Sequence, residues 1–155
     1  EYGNASFAQP EALVATMDAP DGEYPLPIRQ LTGLGMYELG VELQQKGLHT
    51  LHVRLDGVEI TGSPFAFLVT PGVPVGSKSR ILRPAVPPVI HQQCAIVLET
   101  IDTFGNAVDV GGANVAARAL GTGVSPCEVE DHDDGTYQVC FTSTVVGECR
   151  VIVRP

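Results

Sequence analysis

The chain has 155 residues, 44% apolar and 17% charged, enough for a folded core and the reverse of a disordered composition. Nine Lys and Arg stand against 18 Asp and Glu, a net charge of −9, which argues against a nucleic-acid binder and against adhesion to anionic lipid. The apolar runs FAFLV (65–69) and CAIVL (94–98) are strand-sized, so no direct membrane insertion is expected of this segment.

In chain order, the start EYGN (1–4) contains Asn4 of an Asn4-Ala5-Ser6 triplet, an N-glycosylation sequon on a predicted surface turn. Such triplets also arise by chance. There is no initiator Met and no signal-like start, which fits a fragment or a processed product. Leu13, Ala15 and Met17 then alternate with period two, as do Tyr37, Leu39 and Val41 further on. The run GLHTLHVRLDGVEITGSPFAFLV (47–69) holds two more strand signals, and PGVPVG (71–76) reads as a linker, stiffened by proline and turned by glycine. SRILRP (79–84), QCAIVLETID (93–102) and the alternation of Val115, Ala117 and Ala119 follow. In DHDDGTYQVCF (131–141) an acidic turn ends in Asp134-Gly135 and feeds a strand whose buried face is Tyr137, Val139 and Phe141. With 12 Pro and 17 Gly between short apolar runs, no stretch sustains a helical period.

The chain matches itself. EYGN aligns with TFGN (103–106) at an offset of 102, which also relates Leu13, Ala15 and Met17 to Val115, Ala117 and Ala119. An offset of 100 relates Tyr37, Leu39, Val41, Gly47, Leu51 and Val53 to Tyr137, Val139, Phe141, Gly147, Val151 and Val153. Both glycines and alternation stay in phase, so the expectation is two repeats of roughly one hundred residues, a size that sustains one sandwich core. The expected organisation is a first repeat over 1–71 lacking its early strands, a linker over 72–78, and a second repeat over 79–155 lacking its last strand.

The motifs carry a resemblance. Asp102, Gly105 and Asn106; Gly135, Thr136 and Tyr137; Gly147; and Gly62, Ser63, Pro64 and Phe65 follow in the order of the repeat of filamin rods. The first repeat departs from that pattern with Gly35-Met36-Tyr37 and no acidic turn. The resemblance implies an all-β chain of tandem immunoglobulin-like β-sandwiches. It also implies that partner proteins add as an extra strand beside strands C and D. Here that edge would involve Asn114, Ala116 and Arg118, with Ser125, Cys127 and Val129, and Pro25, Pro27 and Pro126 are candidates to guard it.

All four cysteines fall in the second repeat. Cys94 shares a face with Ile96 and Leu98, and Cys149 with Val151 and Val153; in immunoglobulin order they occupy strands B and F, where antibody domains carry their inter-sheet disulfide. Cys127 and Cys140 flank the DHDDGT turn and would face each other if the hairpin is symmetric, whereas a slip of one residue separates them. Bridges 94–149 and 127–140 would point to an extracellular or cell-surface setting, and four packed thiols to a cytoplasmic, cytoskeletal one.

Chemistry finds little footing. His49 falls on a core phase, His132 in a turn, and His52 and His91 at expected exposed positions, with no nucleophile–base spacing among them. The acids Glu128, Glu130, Asp131, Asp133 and Asp134 lack calcium-loop spacing and read as a solvated hairpin tip. Neither an enzyme nor a cofactor is expected. The leading function is a non-catalytic scaffold or cell-surface adhesion module, contacting proteins by strand addition or repeat–repeat contacts. A cytoplasmic actin-linked rod segment and a glycan- or calcium-binding sandwich are the alternatives; zero Trp and 6% aromatic residues weigh against the last.

Overall fold

The computed structural model describes residues 12–32, 35–82 and 88–154, and the protein is all-β. The sequon at Asn4 lies outside the described residues. The chain divides into two units, Glu1–Thr70 and Pro71–Pro155.

In the first unit the strands are β1 (Leu13–Ala19), β2 (Gly22–Pro25), β3 (Ile28–Gln30), β4 (Tyr37–Leu39), β5 (Gly47–Leu55), β6 (Val58–Glu59) and β7 (Phe65–Val69). One antiparallel sheet runs β2-β1-β5-β6, with β7 also paired to β5, and β3–β4 form a separate pair. Period two turns Ala15 and Met17 inward, where they meet Leu26, Ile28, Leu39, Leu51, Val53 and Phe67. Asp56 and Gly57, both at positive φ, close the β5–β6 hairpin between Leu55 and Val58, as a two-residue type I′ turn requires.

The second unit contains β8 (Arg80–Leu82), β9 (Gln93–Glu99), β10 (Ala116–Leu120), β11 (Glu128–Asp131), β12 (Thr136–Thr142) and β13 (Arg150–Arg154). A four-stranded antiparallel sheet runs β11-β12-β9-β8, and β10 pairs with β13 in a second sheet. The core lies between them: Cys94, Ile96, Val139 and Phe141 from one layer pack on Ala117, Ala119, Val151 and Val153 from the other.

The registers carry the repeat into three dimensions. Ala15 faces Val53 and Met17 faces Leu51 across β1–β5; Ala117 faces Val153 and Ala119 faces Val151 across β10–β13. The same offsets of 102 and 100 found in the sequence therefore relate two identical ladder pairings. Tyr37 opens β4 and Tyr137 is the second residue of β12, and Gly35 and Gly135, two residues before each tyrosine, both have positive φ.

The segment read as a linker is hydrogen-bonded to the second unit. The Gly72 N–H donates to Asp102 Oδ2 at 2.9 Å, the Val75 N–H to the Ile101 carbonyl at 2.8 Å, and Pro74 bridges to Asp102. Asp102 is buried and also accepts the Phe104 and Asn106 amides and the Asn106 side chain, each at 2.8 Å. Burial opposes its ionisation, but these donors, the Asn106 side chain foremost, outweigh it and hold the carboxyl far below the usual carboxylate range. The Asp-x-x-Gly-Asn motif is thus an anchor for the chain entering the second unit.

Candidate interaction edges and the cysteine cluster

In the first unit β2 covers the outer edge of β1, with Thr16 opposite Pro25, and β7 covers the far edge of β5 from Gly47 to Leu51. Among the described residues, β10 and β13 pair only with each other, so each lacks a second strand partner, although the Ala119 amide of β10 is engaged by the Cys127 thiol. Such an edge is a row of N–H and C=O groups open to an extended segment.

Asn114 precedes β10 and is exposed, as are Ala116 and Arg118 on its solvent face. The alternate residues Ala117 and Ala119 turn into the core, and on the other layer Val129 lies opposite the fully buried Val139. Cys127, Val129, Ala117 and Ala119 therefore border the mouth between β10 and β11, a more apolar rim than Ala116 and Arg118 suggest. Ser125 is not free to pair: its N–H donates to the Thr142 carbonyl at 2.8 Å, and its Oγ accepts the Thr142 N–H at 2.9 Å. Pro25 sits within β2, so that edge is protected by a whole strand rather than by proline alone.

The four cysteines are free thiols in the structure. Cys94 is buried in the core, and Cys149 and Cys127 pack against the same cluster. Burial raises the Cys94 thiol pKa above its ordinary value, helped by nearby Cys149 and Cys140. Cys127 is also raised, by burial first and by Cys149, against a lowering contact from the Ala119 amide. Cys127 and Cys140 are not brought together. The hairpin register sets Glu128 opposite Cys140, with Asp131 opposite Tyr137, so the two thiols fall on opposite faces. Cys140 instead receives the Gln138 amide at 3.5 Å.

The acidic tip is turn chemistry. Asp131 accepts the Gly112 amide at 2.7 Å and the Asp133 amide at 2.9 Å, and Asp134 accepts the Thr136 amide and hydroxyl at 2.9 and 2.6 Å. These bonds hold both carboxyls below their ordinary range. Tyr137 is buried, with its hydroxyl at the rim accepting the Ala113 amide at 2.8 Å.

The histidines are structural in their contacts. His49 is buried, with Nε2 3.1 Å from the Gln45 carbonyl and its ring edge-on to Phe67. His52, expected to be exposed, is half-buried between Glu59 at 2.9 Å and Asp18 at 3.3 Å. Ser63 of the Gly-Ser-Pro-Phe motif donates to Glu59 and accepts the Val53 N–H at 2.8 Å. Its hydroxyl is engaged by a carboxylate rather than by His52, so this polar group staples β5, β6 and the entry to β7. Sequence alone marked Ser63 as part of a motif but gave no sign of Glu59, which only the β5–β6 pairing brings within reach.

No family model matches the chain. Filamin-A of Drosophila melanogaster is 28% identical over 117 residues, covering 76% of this chain and 5% of that protein. FdeC, an Escherichia coli adhesin, superposes with a TM-score of 0.57 at 20% identity, covering 97% of this chain and 49% of that one. InvD of Yersinia pseudotuberculosis gives a TM-score of 0.48 at 19% identity, over 91% of this chain and 40% of the other. The chain thus spans a small part of its sequence relative and about half of FdeC. It consists of immunoglobulin-like β-sandwich repeats similar in sequence to those of filamin.

Proposed function

We propose that the chain is a non-catalytic spacer and docking module of a multi-repeat scaffold or adhesion protein, taking partner segments by strand addition at β10 and the adjoining mouth to β11. The outer edge of β10, which has no strand partner among the described residues, carries this reading, because the equivalent edge of β1 is closed by β2. Main-chain bonds would supply affinity, and the apolar rim of Ala117, Ala119, Cys127 and Val129 would select alternate side chains of the partner. The similarity to filamin supports the spacer role.

Selection of displayed random peptides against the whole chain tests this reading. Enriched sequences should alternate apolar and polar residues, and their binding should slow amide exchange across Ala116–Leu120. Enrichment of peptides without that period, or protection that leaves β10 unchanged, would contradict it. The compartment is decided separately by Cys94 and Cys149, which share one core cluster. A 94–149 bridge in non-reduced peptide maps of the native protein supports an oxidising, extracellular setting. Recovery of both as thiols favours the cytoplasmic rod.

A further inference from the structure

Three of the four cysteines gather on one core cluster. Cys127, just before β11, and Cys149, just before β13, pack with Ala119 against the cluster that contains buried Cys94. The Cys127 sulfur accepts the Ala119 N–H, so it sits on a β10 amide that an incoming strand would need. One step beyond the Leu120–Arg150 pair, Cys149 lies beside Gly121. A Cβ on Gly121 would fall 3.6 Å from the Cys149 Cα and 3.0 Å from Val124 Cγ2. Being glycine, residue 121 contributes no side chain to cover Cys149 there.

Cys149 therefore has two candidate partners. Cys94 is buried on β9, in the opposite layer, whereas Cys127 and Cys149 are both half-buried and within reach of a small disulfide. Their electrostatics agrees with that proximity: after burial itself, Cys149 opposes the ionisation of Cys94 and of Cys127 alike. Cys140, on the opposite face of the hairpin from Cys127, takes no part.

We propose that Cys127 and Cys149 form a reversible disulfide that shuts the mouth between β10 and β11 to incoming strands. The inference rests on strand addition at β10 and supplies its regulation. In the thiol form, a partner carbonyl displaces the Cys127 sulfur from the Ala119 N–H and the strand enters. In the oxidised form, the start of β11 is tied across the end of β10 to the start of β13, and the sulfur cannot move aside. The oxidant is a low-molecular-weight disulfide of the glutathione class. One protein thiolate attacks it and expels a first glutathione; the second protein thiolate attacks the mixed disulfide and expels the other. Two protein S–H bonds become one S–S bond, and the two protons pass to the two glutathione thiols released.

In the test, the whole reduced chain is incubated with glutathione disulfide, capped with iodoacetamide and mapped without reduction. A linked Cys127–Cys149 peptide pair is expected, with Cys94 recovered as a thiol. Exchange of the Ala119 amide should slow in the bridged chain, and in a Cys149→Ala variant oxidation should leave it fast. Peptides selected on β10 should bind the bridged chain at least about tenfold more weakly than the reduced one. A Cys94–Cys149 pair as the main product, glutathionylation without a bridge, unchanged Ala119 exchange, or undiminished peptide binding at β10 in the bridged chain overturns the proposal. Selected peptides that protect residues away from β10 would defeat strand addition there, whereas the peptide map and the Ala119 amide decide the bridge on their own.

Discussion

The two units are built on the same pair of central strands but finish them differently. In the first, β1–β5 is flanked by β2 on one side and β7 on the other. In the second, β10–β13 has the same register and neither flank among the described residues. The opposite layer is reversed: β3–β4 is a lone pair in the first unit, whereas β11-β12-β9-β8 is a full four-stranded sheet in the second. A shared core pattern therefore does not determine how many backbone groups remain open. The second unit combines a four-stranded layer with a two-stranded sheet whose outer edges have no strand partner among the described residues.

The asymmetry can be broken most strongly at Gly135. A Cβ there would sit 2.0 Å from the Val108 carbonyl oxygen, at φ +81°, so Gly135→Ala should cost more than about 4 kcal/mol. Amide protection in β9 and β12 should collapse while β1 and β5 serve as an internal reference. At Gly57 of the first unit, with φ +79° and open space around the site, Gly57→Ala should cost only about 1–2 kcal/mol. Near-equal effects of the two substitutions in denaturant titrations would contradict this contrast.

The complementary damage to the first unit is Met17→Ala. Met17 is fully buried, and truncation there should cost about 2–5 kcal/mol, read as faster exchange in β1 and β5 with β9 and β12 unaffected. Asp102→Asn should have the smaller effect, about 2 kcal/mol at neutral pH, because it weakens charge-assisted bonds to Gly72, Phe104 and Asn106. The sign with pH follows from a folded-state pKa below the unfolded one. Ionised Asp102 stabilises fully above an unfolded value of about 3.9, and that contribution fades as pH falls toward the depressed folded value. Acid unfolding of the second unit should flatten in the variant; an unchanged acid limb would show that Asp102 does not anchor the incoming chain.

Much of this was legible in the residues. The offsets of 102 and 100 anticipated the paired registers, and Asp-Gly-Thr-Tyr marked a hairpin with a buried tyrosine. What escaped was parity and pairing. Counting symmetrically about DHDDGT puts Cys127 opposite Cys140, but a loop with Asp133 and Gly135 both at positive φ closes one residue differently. β2 was hidden because Gly22–Pro25 has no apolar alternation of its own; only Pro20-Asp21, the two residues linking paired Ala19 and Gly22, signals a tight turn there. The apparent linker had the composition of a spacer, yet its amides find Asp102 and Ile101, contacts that no local pattern specifies. At the candidate site the sequence marked strand C but favoured its solvent-facing residues, because the rim formed with Val129 depends on packing between two sheets.

The difference between the two central sheets can be measured directly by residue-resolved amide hydrogen exchange on the whole chain. Across Gly47–Leu51, where β5 is paired on both sides, successive amides should all be protected. Across Arg150–Arg154 and Ala116–Leu120, protection should alternate, with the amides that have neither a strand partner nor the Cys127 contact exchanging fast. Uniform protection along β10 and β13 would mean that their outer edges are already filled, and would contradict a second unit open to incoming strands.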